Sequence, residues 1–202
     1  MTFDTDTPTS MDRSGFRFPE QVHAAFGFLN SMGFTEVEVL PTLVRYQNKG
    51  LEVEIFHGRR SYEVDAGITG HGVRYSIAEV VEVDGPGATH KYRPRVARTP
   101  DALAPALEEL CRMMKIHGAR ALGDDPMFFS MLARHRDQWA KDLELDVLAR
   151  QLRPKAEEAF RLGHYEFAAT LYGRFRARLT PAEAKKLAIA ESRQIGKIDG
   201  KS

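Results

Sequence analysis

The chain has 202 residues, 43% of them hydrophobic, enough for one domain of moderate size or two small ones around a continuous apolar core. Its 29 Lys plus Arg nearly cancel its 28 Asp plus Glu, so the whole molecule carries no electrostatic bias towards nucleic acid or a membrane surface. Cys111 is the only cysteine, which excludes an intramolecular disulfide and a cysteine-based zinc site, and no run approaches the roughly 18 apolar residues that span a bilayer.

Residues 1–15 are rich in Thr, Asp, Ser and Pro and predict a disordered tail. This start is polar and lacks the apolar core of a signal peptide, so the expected location is the cytoplasm. Residues 16–98 predict an α+β sheet domain. Pro19 stands near a first helical position, Val22, Ala25, Phe26 and Leu29 recur at helical spacing, and Gly33 suits the stop.

From Phe34 the period changes to two. "TEVEVL", "TLVRYQ", "LEVEIF" and "SYEVDAGI" read as strands, with "NKG" (48–50) and "HGRR" (57–60) as tight links. Four short strands so joined predict an antiparallel meander with one face packed by the first helix and one face wetter. For residues 75–83 both a fifth strand and a helix are open, and Ser76 followed by Glu79 favours a capped helix. A Gly- and Pro-rich connection follows, and beyond it every periodic segment is helical. In the helical segment 99–150, one helix carries Leu103, Leu107, Leu110 and Met114 on one stripe, and the next carries Phe128, Leu132, His135 and Trp139. Residues 151–202 hold three helical candidates, 154–162, 165–178 and 181–195.

The stretch "PKAEEAFRLGHYEFAATLYGRFRARLTPAEAKKLAIAESR" resembles the tetratricopeptide repeat. Ala156 and Ala159 leave room for a neighbouring helix, Gly163 makes the turn, and Tyr165 seats the next helix. Ala168 takes the close crossing, Tyr172 fills the space a turn later, and Thr180–Pro181 restarts a helix. Phe175 is large where the repeat has a small residue, Pro181 is displaced by one position, and no second copy appears at a spacing of about 34 residues. The resemblance therefore implies one helical hairpin rather than a peptide-binding array. The whole layout, with "RSYEVDAGI" in its first half, resembles an uncharacterised bacterial family that joins a small α+β domain to a helical C-terminal half. That N-terminal domain is similar in pattern to immunity proteins and secretion chaperones, and the resemblance implies the binding of one protein partner.

The polar concentration on the predicted sheet is "HGRRSYEVD" with the preceding strand. Glu63 and Asp65 share a face by period two, and Glu52 and Glu54 are placed beside them. Such a face reads as a solvated sheet surface, as an acidic patch for a partner, or as a catalytic site if His57, Glu63 and Asp65 converge. The histidines never stand at metal-ligand spacing, no nucleophile motif is present, and "GITGHG" and "DGPGATHK" do not match a phosphate loop, so no metal, catalytic residue or cofactor is assigned. Cys111 falls on an apolar helix face and reads as a buried structural thiol. "HKYRPRVAR" (90–98) is the strongest basic segment, and reads as a solvated linker or a strand-like segment docked by charge against the acidic sheet face, with nucleic-acid contact as the rival.

The expectation is a non-catalytic, cytoplasmic protein-binding module of the immunity or chaperone kind. The candidate contact residues are Glu52, Glu54, His57, Arg59, Arg60, Glu63 and Asp65, with Tyr165, Tyr172 and Arg174 as a second surface, because Tyr and Arg are favoured at interface hot spots. The alternatives are a small hydrolase or transferase using His57, Glu63 and Asp65, and weak nucleic-acid binding through 90–98. Nucleic acid is disfavoured as a partner and no membrane is expected.

Overall fold

The computed structural model describes residues 13–85, 87 and 92–198, the side chains of 194–198 excepted. The chain forms two compact units that divide between Ala133 and Arg134. The first is α+β and the second is helical.

The first unit opens with a 3-10 turn, Ser14–Phe16, and helix α1, Phe18–Phe26, followed by the short α2, Phe28–Ser31. The expected tail at 1–15 lies mostly outside the described residues. Within it Arg13 is buried and Ser14 begins regular structure, because apolar groups at Phe16 and Phe18 follow at once. Strands β1 (Thr35–Leu40), β2 (Leu43–Asn48), β3 (Leu51–His57), β4 (Glu63–Gly70) and β5 (Val73–Ser76) form an antiparallel meander in that order. A sixth strand, β6 (Arg95–Val96), pairs with the first residues of β4, on an edge β5 leaves open. The sheet therefore holds the four strands read from sequence plus two more.

Two of the hairpins share one device. Lys49–Gly50 and His71–Gly72 are two-residue turns in which both residues have positive φ, at 47° and 94° and at 52° and 77°. This is the turn whose twist matches paired strands, and glycine carries its second position without steric cost. Helix α3 (Ile77–Asp84) then starts from Ser76, whose hydroxyl accepts the Glu79 N–H while Glu79 accepts the Ser76 N–H, so the capped helix is present.

Helix α4 (Pro100–His117) lays Leu103, Leu107, Leu110 and Met114 into the same core as Val22, Phe26, Val53, Ile55, Ala66 and Ile68. Cys111 is buried there, its Sγ–H donating to the Ala25 carbonyl at 3.1 Å. Helices α5 (Ala119–Leu122) and the beginning of α6 (Pro126–Arg161) complete the unit. Phe129 sits against Gly70, where a β-carbon would lie 2.3 Å from the ring, so the hairpin backbone itself is the floor of that contact.

In the second unit α6, α7 (Tyr165–Arg174) and α8 (Pro181–Ile198) surround one apolar cluster. The sequence predicts a separate helix beginning at 154, but α6 runs on through Pro154. Ala149 and Leu152 before the proline and Ala156 and Ala159 after it belong to the same buried cluster, and that burial offsets the lost helix bond. Gly163 turns the chain and Ala168 and Tyr172 are fully buried. Phe175 is buried with them, its ring 5.9 Å from that of Tyr172, so the bulky residue is part of this core. Thr180 and Glu183 cap α8 reciprocally.

Among the described residues no helix is long and apolar enough to cross a membrane.

Candidate functional site

Strand alternation divides the sheet into a core face and a polar face. On β3 the core face takes Leu51, Val53, Ile55 and His57, and the polar face takes Glu52, Glu54 and Phe56. On β4 Val64, Ala66 and Ile68 point to the core, and Glu63 and Asp65 stand on the polar face. His57 is thus separated by the sheet from Glu63 and Asp65, and the three do not converge.

The polar face is not an acidic patch. The β2–β3 register places Arg45 opposite Glu54, and the β1–β2 register places it opposite Glu38. Arg45 pairs with Glu38, with Glu52 at 3.1 Å and with Glu54 at 3.8 Å, and Arg74 of β5 also pairs with Glu54. Asp65 is satisfied differently. The Tyr92 hydroxyl donates to its Oδ1 at 2.6 Å and the Ala66 N–H donates to the same oxygen at 2.9 Å. Burial raises the Asp65 carboxyl above its ordinary value, and these two donors only partly restrain it.

His57 is 1% exposed and lies among the rings of Phe16, Phe18 and Tyr62, at centroid distances of 4.9, 6.0 and 5.9 Å. Its Nε2 is 2.9 Å from the Ala97 carbonyl, which can only accept, so Nε2 carries the proton. The Nδ1 lone pair then faces Nη1 of Arg13 at 3.4 Å. Arg13, 7% exposed, also donates from Nη2 to the Arg59 carbonyl at 2.5 Å and the Gly58 carbonyl at 3.4 Å, and its guanidinium lies 4.0 Å from the Tyr62 ring centroid. Burial lowers the His57 pKa; the Ala97 and Tyr62 carbonyls oppose that shift and the Arg13 charge adds to it.

Around this node the surface is basic. Arg59 and Arg60 are exposed in the β3–β4 link, and Arg98, exposed, lies 5.6 Å over the Tyr62 ring. Arg93 and Arg95 are exposed on the segment that β6 docks to β4. The segment does not dock on the acidic face by charge: Arg95 and Val96 pair by backbone with the start of β4 at the sheet edge, and His90 and Lys91 lie outside the described residues. None of Arg59, Arg60, Arg93, Arg95 and Arg98 has a salt bridge among the described residues.

The second expected surface does not form as read. Tyr172 is fully buried, because it fills the space between α6, α7 and α8. Tyr165 is half-buried and accepts from Arg193 through its hydroxyl, while Arg174 is exposed. The large apolar side chains this unit exposes are Trp139, Leu143 and Val147 on α6, Leu162, Phe167 on α7 and Ile189 on α8.

Among the described residues no three His, Cys, Asp or Glu side chains gather as a metal site. Three histidines face single carboxylates instead: His23 faces Glu36, His71 faces Asp124 and His117 faces Asp84. Sequence reasoning missed Arg13, Arg45, Arg74 and Tyr62. Arg45 was within reach, since a two-residue turn at Lys49–Gly50 pairs it with Glu54. Arg13 carried no such signal, because its partners are backbone carbonyls far along the chain.

Compared with protein-family models, curated proteins and solved structures, the chain matches none.

Proposed function

We propose that this chain is a non-catalytic binding protein of the bacterial cytoplasm, of the immunity or chaperone kind, and that its partner is a protein with an acidic surface. The observation that carries this reading is the exposed set Arg59, Arg60, Arg93, Arg95 and Arg98 at one end of the sheet, without a salt bridge among the described residues. Elsewhere on the sheet arginines are held in salt bridges, whereas these are in none among the described residues, Arg95 feeling only the charge of Glu109, and their guanidiniums suit bidentate contacts with an acidic partner. The expected contact surface therefore moves from Glu52 and Glu54 to the "HGRR" link and the segment after it. The separation of His57 from Glu63 and Asp65 weighs against the enzyme reading, since acid–base catalysis needs its groups around one reacting atom.

The test is affinity purification from the native cell. Wild type is expected to recover one stoichiometric acidic protein, and R59E/R60E/R98E to recover less than a tenth of it. Equal recovery by the charge-reversed variant, or a nucleic acid retained in place of a protein, overturns the reading.

A further inference from the structure

The node at His57 is built for one protonation state. Its Nε2–H is committed to the Ala97 carbonyl and its Nδ1 lone pair faces the Arg13 guanidinium at 3.4 Å. A second proton on the ring would sit on Nδ1, turning that contact into two cations face to face. The backbone carbonyls of Ala97 and Tyr62 favour the charged ring, but among the described residues no anion does. The N-terminal segment contributes Arg13, Phe16 and Phe18, the β3–β4 link contributes Tyr62 with Arg59 and Arg60 beside it, and the segment after β6 contributes Ala97 and Arg98. Every charged group in that set is a cation. Among the described residues neither Arg13 nor His57 is paired with a carboxylate, and the nearest acid on the link, Glu63, stands on the other face of the sheet.

We propose that His57 is an acid-operated latch on the segment Arg13–Phe16: when Nδ1 takes a proton, Arg13 leaves its seat and the segment comes away from the end of the sheet. Arg13 moves rather than His57, because His57 lies in the β3 ladder and keeps its bond to Ala97, whereas Arg13 heads a single 3-10 turn. A second observation places the hinge. Arg17, between that turn and α1, has φ of 46°, a left-handed conformation that side-chain-bearing residues seldom adopt, and opening frees it. Phe18 is fully buried and keeps α1 in place. Opening uncovers the Tyr62 ring face and the carbonyls of Gly58 and Arg59. Burial, which lowers the His57 pKa, sets the latch closed near neutrality. The latch stands whether or not the partner reading does.

The experiment is a pH titration of the full-length protein by nuclear magnetic resonance, following the His57 imidazole C–H together with the backbone amides of residues 13–17. In wild type the amide protection is expected to fall at least tenfold with the same midpoint as the imidazole. In H57Q, whose amide can still donate to Ala97 and accept from Arg13, protection should not change over that range. In R13Q, where the competing cation is gone, the imidazole midpoint should rise, as reciprocal coupling requires. Retained protection while His57 titrates, equal opening in H57Q, or an unmoved midpoint in R13Q overturns the proposal. The R13Q arm needs no folded H57Q protein.

Discussion

Arg13 and Arg153 are both guanidinium groups set against a buried polar residue, and they are balanced in opposite ways. In the second unit Arg153 meets the Glu183 carboxylate at 2.6 Å and the Arg178 carbonyl at 3.0 Å, and Glu183 also accepts the Thr180 N–H at 2.7 Å. Cation cancels anion, and the carboxylate caps a helix at the same time. In the first unit Arg13 meets an imidazole, two carbonyls and two aromatic rings, none with a negative charge. The first arrangement is a brace that neutral pH leaves alone. The second tolerates no further positive charge. The difference between them is one carboxylate.

Removing that carboxylate should give the largest effect. Glu183 is 3% exposed, so Glu183→Ala strands Arg153 and uncaps α8, and a loss of about 3 kcal/mol is expected in urea unfolding. Glu183→Gln keeps an acceptor for Thr180 and should cost less. Burial pushes the Glu183 carboxyl up, but the Thr180 groups and Arg153 outweigh it and hold it below its ordinary value. A depressed carboxyl stabilises above its unfolded pKa of about 4.3, and that stability is lost as pH falls through the lower folded value.

Arg13→Ala should cost less, about 1.5 kcal/mol, the worth of one charged hydrogen bond and a ring contact. The pH window is the sharper test. His57 is also depressed when folded, so its contribution is intact above about 6.5 and falls as the pH drops below that value. Hydrogen exchange read by segment, from pH 8 to 5, should therefore show residues 13–17 losing protection before residues 165–190. Loss in the second unit first would reverse the comparison.

How far the sequence carries depends on the range of the forces at each place. The hairpin at 48–51 and the Ser76–Glu79 cap are legible because both are local rules of spacing. The hairpin at His71–Gly72 obeys the same rule as Lys49–Gly50, yet "GITGHG" invites comparison with a phosphate loop instead, and the fifth strand begins two residues ahead of the 75–83 segment for which a strand is an open reading. The acidic face misleads for a related reason. Period two places Glu52 and Glu54 together, but only strand register puts Arg45 and Arg74 between them. His57 reads as part of the polar link although its parity matches Val53 and Ile55, which alone would place it inwards. The burial of Tyr172 is what the repeat resemblance implies, against its choice as a contact residue, whereas the continuity of α6 through Pro154 is decided by packing across the helices.

Asp65 is an intermediate case, a half-buried carboxylate held by a hydroxyl instead of a cation. Tyr92→Phe removes that donor and should cost about 1 kcal/mol in thermal or urea unfolding at pH 7. Asp65→Asn keeps an acceptor for Tyr92 and discards a charge that burial disfavours, so it should leave stability unchanged or slightly raised. With Asp65→Asn already in place, the cost of Tyr92→Phe should shrink, because a neutral acceptor loses less when left alone. An undiminished cost would mean that Tyr92 acts through packing and not through the charge.

The smallest effect on folding should come from the arginines with no salt bridge among the described residues. Arg45→Ala breaks a network of three carboxylates, and about 1 kcal/mol is expected even on a half-exposed surface. Arg59→Glu with Arg60→Glu breaks no such pair, so its change should stay within about 0.5 kcal/mol. Relief of repulsion around Arg13 and Arg98 should even offset part of the backbone disturbance in the link. The two variants thus separate arginines that serve the fold from arginines left for something else. Equal destabilisation by both would show that the "HGRR" arginines are already engaged within the molecule, and the basic end of the sheet would lose its standing as a contact surface.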